Sequence, residues 1–112
     1  FERRKMKFQD WLNENVVKVI PNCGFRNYKH IICNDGFSMS VQAFDGAYCH
    51  PREFLNDANE YTHFEVGFPS EKPSFFFERA DDRNNPTETV YGYVSAELIQ
   101  QEIDLHGGIK ND

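Results

Sequence analysis

The sequence predicts an α+β fold: a mainly antiparallel four-stranded sheet with an N-terminal and a C-terminal helix packed on one face, in the order α-β-β-β-β-α. Apolar residues recur at three- and four-residue spacing near both ends of the chain. Four strand-like runs lie between those ends, and no helical crossover separates them, which favours antiparallel pairing. One domain over residues 6 to 108 accommodates all of these elements, with residues 1 to 5 a leftover of expression or a flexible arm and residues 109 to 112 a flexible tail.

The first helix is expected over residues 6 to 19, where Phe8, Trp11, Leu12, Val16 and Val19 form one stripe. Trp11 is its expected anchor, and Pro21 to Gly24 ends it. Asp35-Gly36 then separates the runs Arg26 to Cys33 and Phe37 to Phe44 and suits a two-residue type I′ turn. That turn pairs Tyr28 with Ala43, His30 with Val41 and Ile32 with Met39 on the core face, leaving Ile31 and Cys33 on the other.

The stretch from Asp45 to Glu60 reads as a loop, with a short helical turn over Arg52 to Ala58 as the alternative. Thr62, Phe64, Val66 and Phe68 give the third strand an apolar side, and Pro69 stops it. Phe75, Phe76 and Phe77 cannot all face one way; one or two rings should dock and another remain available to a partner. Thr87 to Val94 is the fourth strand, with Tyr91 and Tyr93 on its open side. Ser95 caps the last helix, which runs to His106 before Gly107. Val94 and Ile99 occupy the staple positions, and Leu98, Ile99, Ile103 and Leu105 are its expected buried face.

The chain has 112 residues, 39% of them hydrophobic and 15% aromatic, a composition that suits one modest core. No purely apolar run exceeds three residues, too few to cross a bilayer, and no secretory leader is expected. Three cysteines, an odd number, read as free thiols in a reducing compartment. Net charge is -6, unevenly spread: residues 1 to 30 sum to +4 and residues 31 to 112 to -10. An acidic body repels a phosphate backbone, so direct nucleic-acid binding is disfavoured and a basic protein partner favoured.

Residue patterns for chemistry are weak. Cys23, His30, Cys33, Cys49, His50, His63 and His106 are the available soft metal ligands, with Cys23, Cys49, His50 and His63 the set a fold could gather, but no Cys-x-x-Cys pair or His-Glu-x-x-His helix occurs. Cys49 beside His50, with His63 as a distant base, is the alternative for a thiol enzyme. Neither a phosphate loop nor a dinucleotide fingerprint is present, and no cofactor is implied. Carboxylates arrayed on a surface can instead imitate a phosphate backbone towards a positively charged groove. The candidate binding residues are Glu53, Asp57, Glu60, Phe76, Asp81, Asp82, Glu88, Tyr91 and Tyr93, with Glu71 and Glu78 adding to the acidic set.

Four strings, Asp35 to Ala43, Tyr48 to Arg52, Glu65 to Ser70 and Asn85 to Val94, resemble small accessory proteins of bacteriophages and prophages. The resemblance covers residues 6 to 108, and Phe75 to Phe77 departs from it. It implies a protein of the bacterial host's cytoplasm that acts on host machinery, including defence nucleases and their guide complexes in the anti-CRISPR manner. It transfers no catalytic residue. The expectation is therefore a cofactor-free inhibitor or regulator of a host protein, with self-association open, rather than an enzyme; a phage structural or assembly component is a further alternative.

Overall fold

The computed structural model describes residues 6–110; the expectations for residues 1 to 5, 111 and 112 lie outside them. An N-terminal helix and a C-terminal helix flank a mainly antiparallel four-stranded sheet, so the α+β class is as the sequence predicts. A two-stranded ribbon, β1 (Val16–Ile20) with β2 (Phe25–Tyr28), is added before that sheet. The sheet itself has the order β3 (Ile31–Ile32), β4 (Ser38–Gln42), β5 (His63–Gly67) and β6 (Val90–Ser95), antiparallel at each step.

Helix α1 spans only Phe8–Glu14, which corrects the expectation of a helix to residue 19. Asn15 ends it: its side-chain amide donates to the Trp11 carbonyl at 2.8 Å and its backbone N–H to Leu12 at 3.0 Å. Beyond it Val16, Val17, Val19 and Ile20 are β-branched, lose rotamer freedom in a helix, and form β1 instead. Phe8 and Leu12 are fully buried, with the Phe8 ring edge-on to Phe64 at 5.2 Å. Trp11 is only half-buried, so Phe8 and Leu12, not Trp11, anchor this helix.

The Asp35-Gly36 hairpin exists, but its register is one residue away from the expected one. Ile31 pairs with Met39 and Ile32 with Ser38. The loop is Asn34-Asp35-Gly36: Gly36 has φ +96° and donates to the Cys33 carbonyl at 3.0 Å, and Cys33 N–H closes onto the Phe37 carbonyl. A three-residue loop with left-handed glycine at its end is the alternative to the two-residue turn. The one-residue slip exchanges the faces of β3, burying Ile31 and Cys33 and exposing Ile32 and His30. Tyr28 stays buried because β2 and β3 are separate strands, joined across Lys29-His30. The Gln42 carboxamide bridges the break: its Oε1 accepts from Tyr28 N–H at 2.9 Å and its Nε2 donates to Tyr28 C=O at 3.1 Å.

Met39, Val41, Phe64, Val66, Tyr91 and Val94 form the core face of the sheet with Phe8 and Leu12 of α1 and Ile99 and Ile103 of α2 (Ala96–Leu105). The Gln100 side chain of α2 accepts the Phe8 N–H at 2.9 Å, so the two helices meet on that face. The Ser95 hydroxyl caps α2 by accepting Leu98 N–H at 3.2 Å, as expected, and both staple residues are buried. Leu105, by contrast, is exposed, and buried Glu102 takes the place expected of it. Ile109 bridges to Cys33 and Lys110 N–H donates to Ile32 C=O at 2.8 Å, so 109–110 run along β3 rather than forming a free tail.

The segment from 45 to 60 is irregular except for a single turn at Ala58–Glu60, not at Arg52 to Ala58. A second single turn, Phe77–Arg79, lies in the segment before β6. The remaining sheet face carries Ser38, Ser40, Gln42, His63 and Glu65, all half-buried.

Candidate functional site

The expected acidic residues fall into two sets. Glu53, Asp57 and Glu60 are exposed on the segment beside α1. Asp57 builds the turn there, its Oδ1 accepting from Asn59 N–H at 2.9 Å and from the Asn13 side chain at 2.8 Å. These bonds, the Asn59 N–H first, hold its pKa below the usual carboxylate range. Asp81, Asp82 and Glu88 are exposed between the Phe77–Arg79 turn and β6. Asp82 is likewise a turn builder, accepting from the Asn85 side chain at 2.9 Å and Asn84 N–H at 3.0 Å, which lowers its pKa in that order. Asp57 and Asp82 therefore stay ionised to lower pH than an isolated aspartate while shaping their own loops.

The expected aromatic residues divide differently. Phe76 is 1% exposed and Tyr91 0%, their rings edge-to-face at 5.3 Å. Both are core residues, which removes them from any contact surface. Tyr91 hydroxyl is satisfied internally by the Pro86 carbonyl at 2.6 Å. Tyr93 is 41% exposed. The separation of two residues that would share a side in a regular strand has a local cause. The β5–β6 register shifts between Phe64 and Val66, and Tyr93 adopts φ +53°. This irregularity sends Tyr91 and Val94 inward and Tyr93 outward. Of the phenylalanine triplet, Phe75 is the exposed ring and Phe77 is half-buried, its ring 4.3 Å from the Lys72 ammonium.

Tyr48, unnoticed as a site residue in the sequence, completes an aromatic pair with Tyr93 at 5.9 Å. Its backbone is pinned beside β6, accepting Tyr93 N–H at 3.0 Å and donating to Glu65 Oε1 at 2.8 Å. Gly92 permits that approach: a Cβ there would lie 3.3 Å from the Tyr48 Cβ. Arg52 covers the Tyr48 ring at 5.2 Å. Tyr48, Tyr93, Gly92 and Val90 line a depression of about 430 Å³, with Glu78 and Asp81 at its acidic side and Arg79 beside them.

The cysteine and histidine candidates are placed as follows. His50 and His63 are antiparallel bridge partners with rings 6.0 Å apart. Cys49 points away from them into the core, its thiol 3.3 Å from the Phe44 carbonyl and 3.5 Å from that of Pro51. Burial pushes the Cys49 pKa up, which favours the thiol over the nucleophilic thiolate. Burial pushes Cys33 up to about 12. All three cysteines are free, and Cys23 is exposed next to the ribbon's connection. Among the described residues no group of three or more His, Cys, Asp or Glu side chains converges on a point suited to a metal ion.

One charged cluster escaped the sequence reading. Glu102 is fully buried, and its Oε1 accepts from Ser74 N–H at 2.9 Å and Phe75 N–H at 2.8 Å. Its Oε2 lies 3.2 Å from His106 Nε2, while His106 Nδ1 lies 2.6 Å from Asp35 Oδ2. The imidazole stacks on Phe37 at 4.0 Å. Burial alone would lower the His106 pKa; the Asp35 bond and charge, then those of Glu102, outweigh it and raise it. Asp35 is lowered, first by Phe37 N–H and then by His106. The cluster fastens the hairpin loop, the 74–75 segment and the end of α2 together, and is structural. The i, i+4 spacing of Glu102 and His106 was its only mark in the sequence.

Among the described residues no helix is long and apolar enough to cross a membrane. Comparison of the chain with protein-family models, with curated proteins and with solved structures finds no match.

Proposed function

We propose that the protein is a cofactor-free binding protein that inhibits or regulates a basic host protein, with the phage-type resemblance supplying the context of a bacterial host. The observation that carries this reading is the depression beside β6, where Tyr48 and Tyr93 face outward next to Glu78 and Asp81. Exposed tyrosines give large contact area at small entropic cost, and carboxylates beside them complement a lysine or arginine of a partner. The charge of -10 over residues 31 to 112 adds long-range attraction for the same class of partner and speeds encounter. A protein whose basic groove holds a nucleic acid has the required chemistry, since the acids would compete with phosphates for it.

The contact set differs from the one expected from sequence: Tyr48 joins Tyr93, Asp81 and Glu78, while Phe76 and Tyr91 leave it. Affinity capture from a bacterial lysate, followed by titration of the purified captured protein, tests the proposal. Glu78→Lys with Asp81→Lys is expected to weaken binding at least about tenfold and to flatten its salt dependence. Tyr93→Ser is expected to shorten the lifetime of the complex with little change in its formation rate. Binding that survives both variants unchanged overturns the assignment of this surface.

A further inference from the structure

The ribbon has a surface of a different kind. Val16, Val17, Lys18, Val19 and Ile20 are all exposed, Val17 at 63%. Among the described residues β1 pairs only with β2, so its other edge has no partner strand. Strands presenting four β-branched residues and an unpaired edge are what proteins ordinarily shorten, cover or block with charge. Here the one charged side chain is Lys18 at the centre. From Asn15 to His30 the chain contains Lys18, Arg26 and Lys29 and no acid, although the whole chain carries -6. Arg26 is turned inward, its guanidinium bonded to the Leu55 carbonyl and 4.3 Å from the Phe54 ring, which leaves Lys18 and Lys29 as the exposed cations.

We infer that β1 is a strand-addition site for an extended, apolar segment of another protein that carries a carboxylate opposite Lys18. Main-chain bonds along the free edge supply affinity, alternating apolar side chains pack on the exposed valines, and the carboxylate sets register. A second copy of this chain is the poorer occupant. Full overlap of two antiparallel β1 strands places Lys18 opposite Lys18, and like charges in that position are destabilising. Five residues of strand also extend only about 17 Å, too little to reach the roughly 1,200 Å² or more of a stable interface unaided. The site is separate from the tyrosine depression and stands or falls independently of it.

The probe is a capped five-residue peptide, Thr-Val-Glu-Val-Thr, titrated into the full chain while backbone amide resonances are followed. Saturable shifts confined to residues 16–20 and their β2 partners are expected. N-methylation of alternate peptide amides should weaken binding at least about tenfold, and Glu replaced by Lys in the peptide about three- to fivefold. Lys18→Glu, at an exposed position, should reverse that charge preference without changing core resonances. No saturable shift at millimolar peptide, equal affinity for the N-methylated peptide, or a sedimenting dimer abolished by Lys18→Glu with Val17→Lys would each overturn the inference.

Discussion

At one end of the described chain Ser95 opens α2, His106 closes it, and Glu102 between them has both carboxylate oxygens hydrogen-bonded. Just after α1, β1 pairs among the described residues with β2 alone, with all five of its side chains exposed. Both are short elements, and β1 is the more apolar of the two, yet α2 is fastened to three parts of the chain and β1 to a single strand. The fastened end turns Glu102 and His106 inside the molecule, where their bonds serve the fold. The ribbon leaves both backbone edge and apolar side chains outside. The buried cluster at α2 thus serves stability, and the ribbon is left open to recognition.

That contrast breaks most sharply at Glu102. Glu102→Ala strips two amides of their acceptor and leaves His106 with one partner fewer; a loss of about 3–5 kcal/mol is expected in denaturant unfolding. The next effect is a pH dependence. A raised His106 pKa contributes stability that is full below the unfolded value, about 6.5, and is lost as pH rises through the higher folded value. A lowered Asp35 pKa contributes stability present above about 3.9 and lost as pH falls through the lower folded value. The melting-temperature difference between wild type and His106→Gln should therefore be largest from about pH 4 to 6.5 and shrink on the alkaline side. A difference independent of pH would show that the imidazole acts by packing on Phe37 alone.

A smaller loss, about 1 kcal/mol, is expected for Ser95→Ala, which removes the cap of α2 and leaves its buried face in place. Val17→Thr should change stability least, within about 0.5 kcal/mol, because the side chain is exposed on the ribbon. If that substitution instead unfolds the protein, the ribbon carries more of the fold than its exposure implies.

Elements with local punctuation were legible in the sequence. Ser95, the staple pair Val94 and Ile99, and Gly107 gave α2 both of its ends. Alternation gave β5 its buried Phe64 and Val66. The first helix misled because Val16 and Val19 continue the helical stripe numerically, while β-branching and the Asn15 stop act against it. Register at Asp35-Gly36 turned on whether Asn34 joins the loop, a choice of turn that the dipeptide leaves open. Of the site, Tyr93 and Asp81 were found from composition and strand position. Tyr48 was not, because it reaches Tyr93 only through the Gly92 gap across β6. Tyr91 was misplaced since alternation assumes an unbroken strand, and the shift beside Tyr93 breaks it.

The Gln42 carboxamide holds both backbone groups of Tyr28, doing for the ribbon what a neighbouring strand residue would ordinarily do. A side chain in that role can be edited without touching the main chain: Gln42→Glu keeps the acceptor and discards the donor, and Gln42→Ala discards both. Load applied to the ribbon by a bound segment would pass into β4 through this amide, and into the chain just beyond β4 through the Phe25–Phe44 ring contact and the Asp45 N–H on the Gly24 carbonyl, so editing residue 42 loosens the join between the two sheets at one of several points.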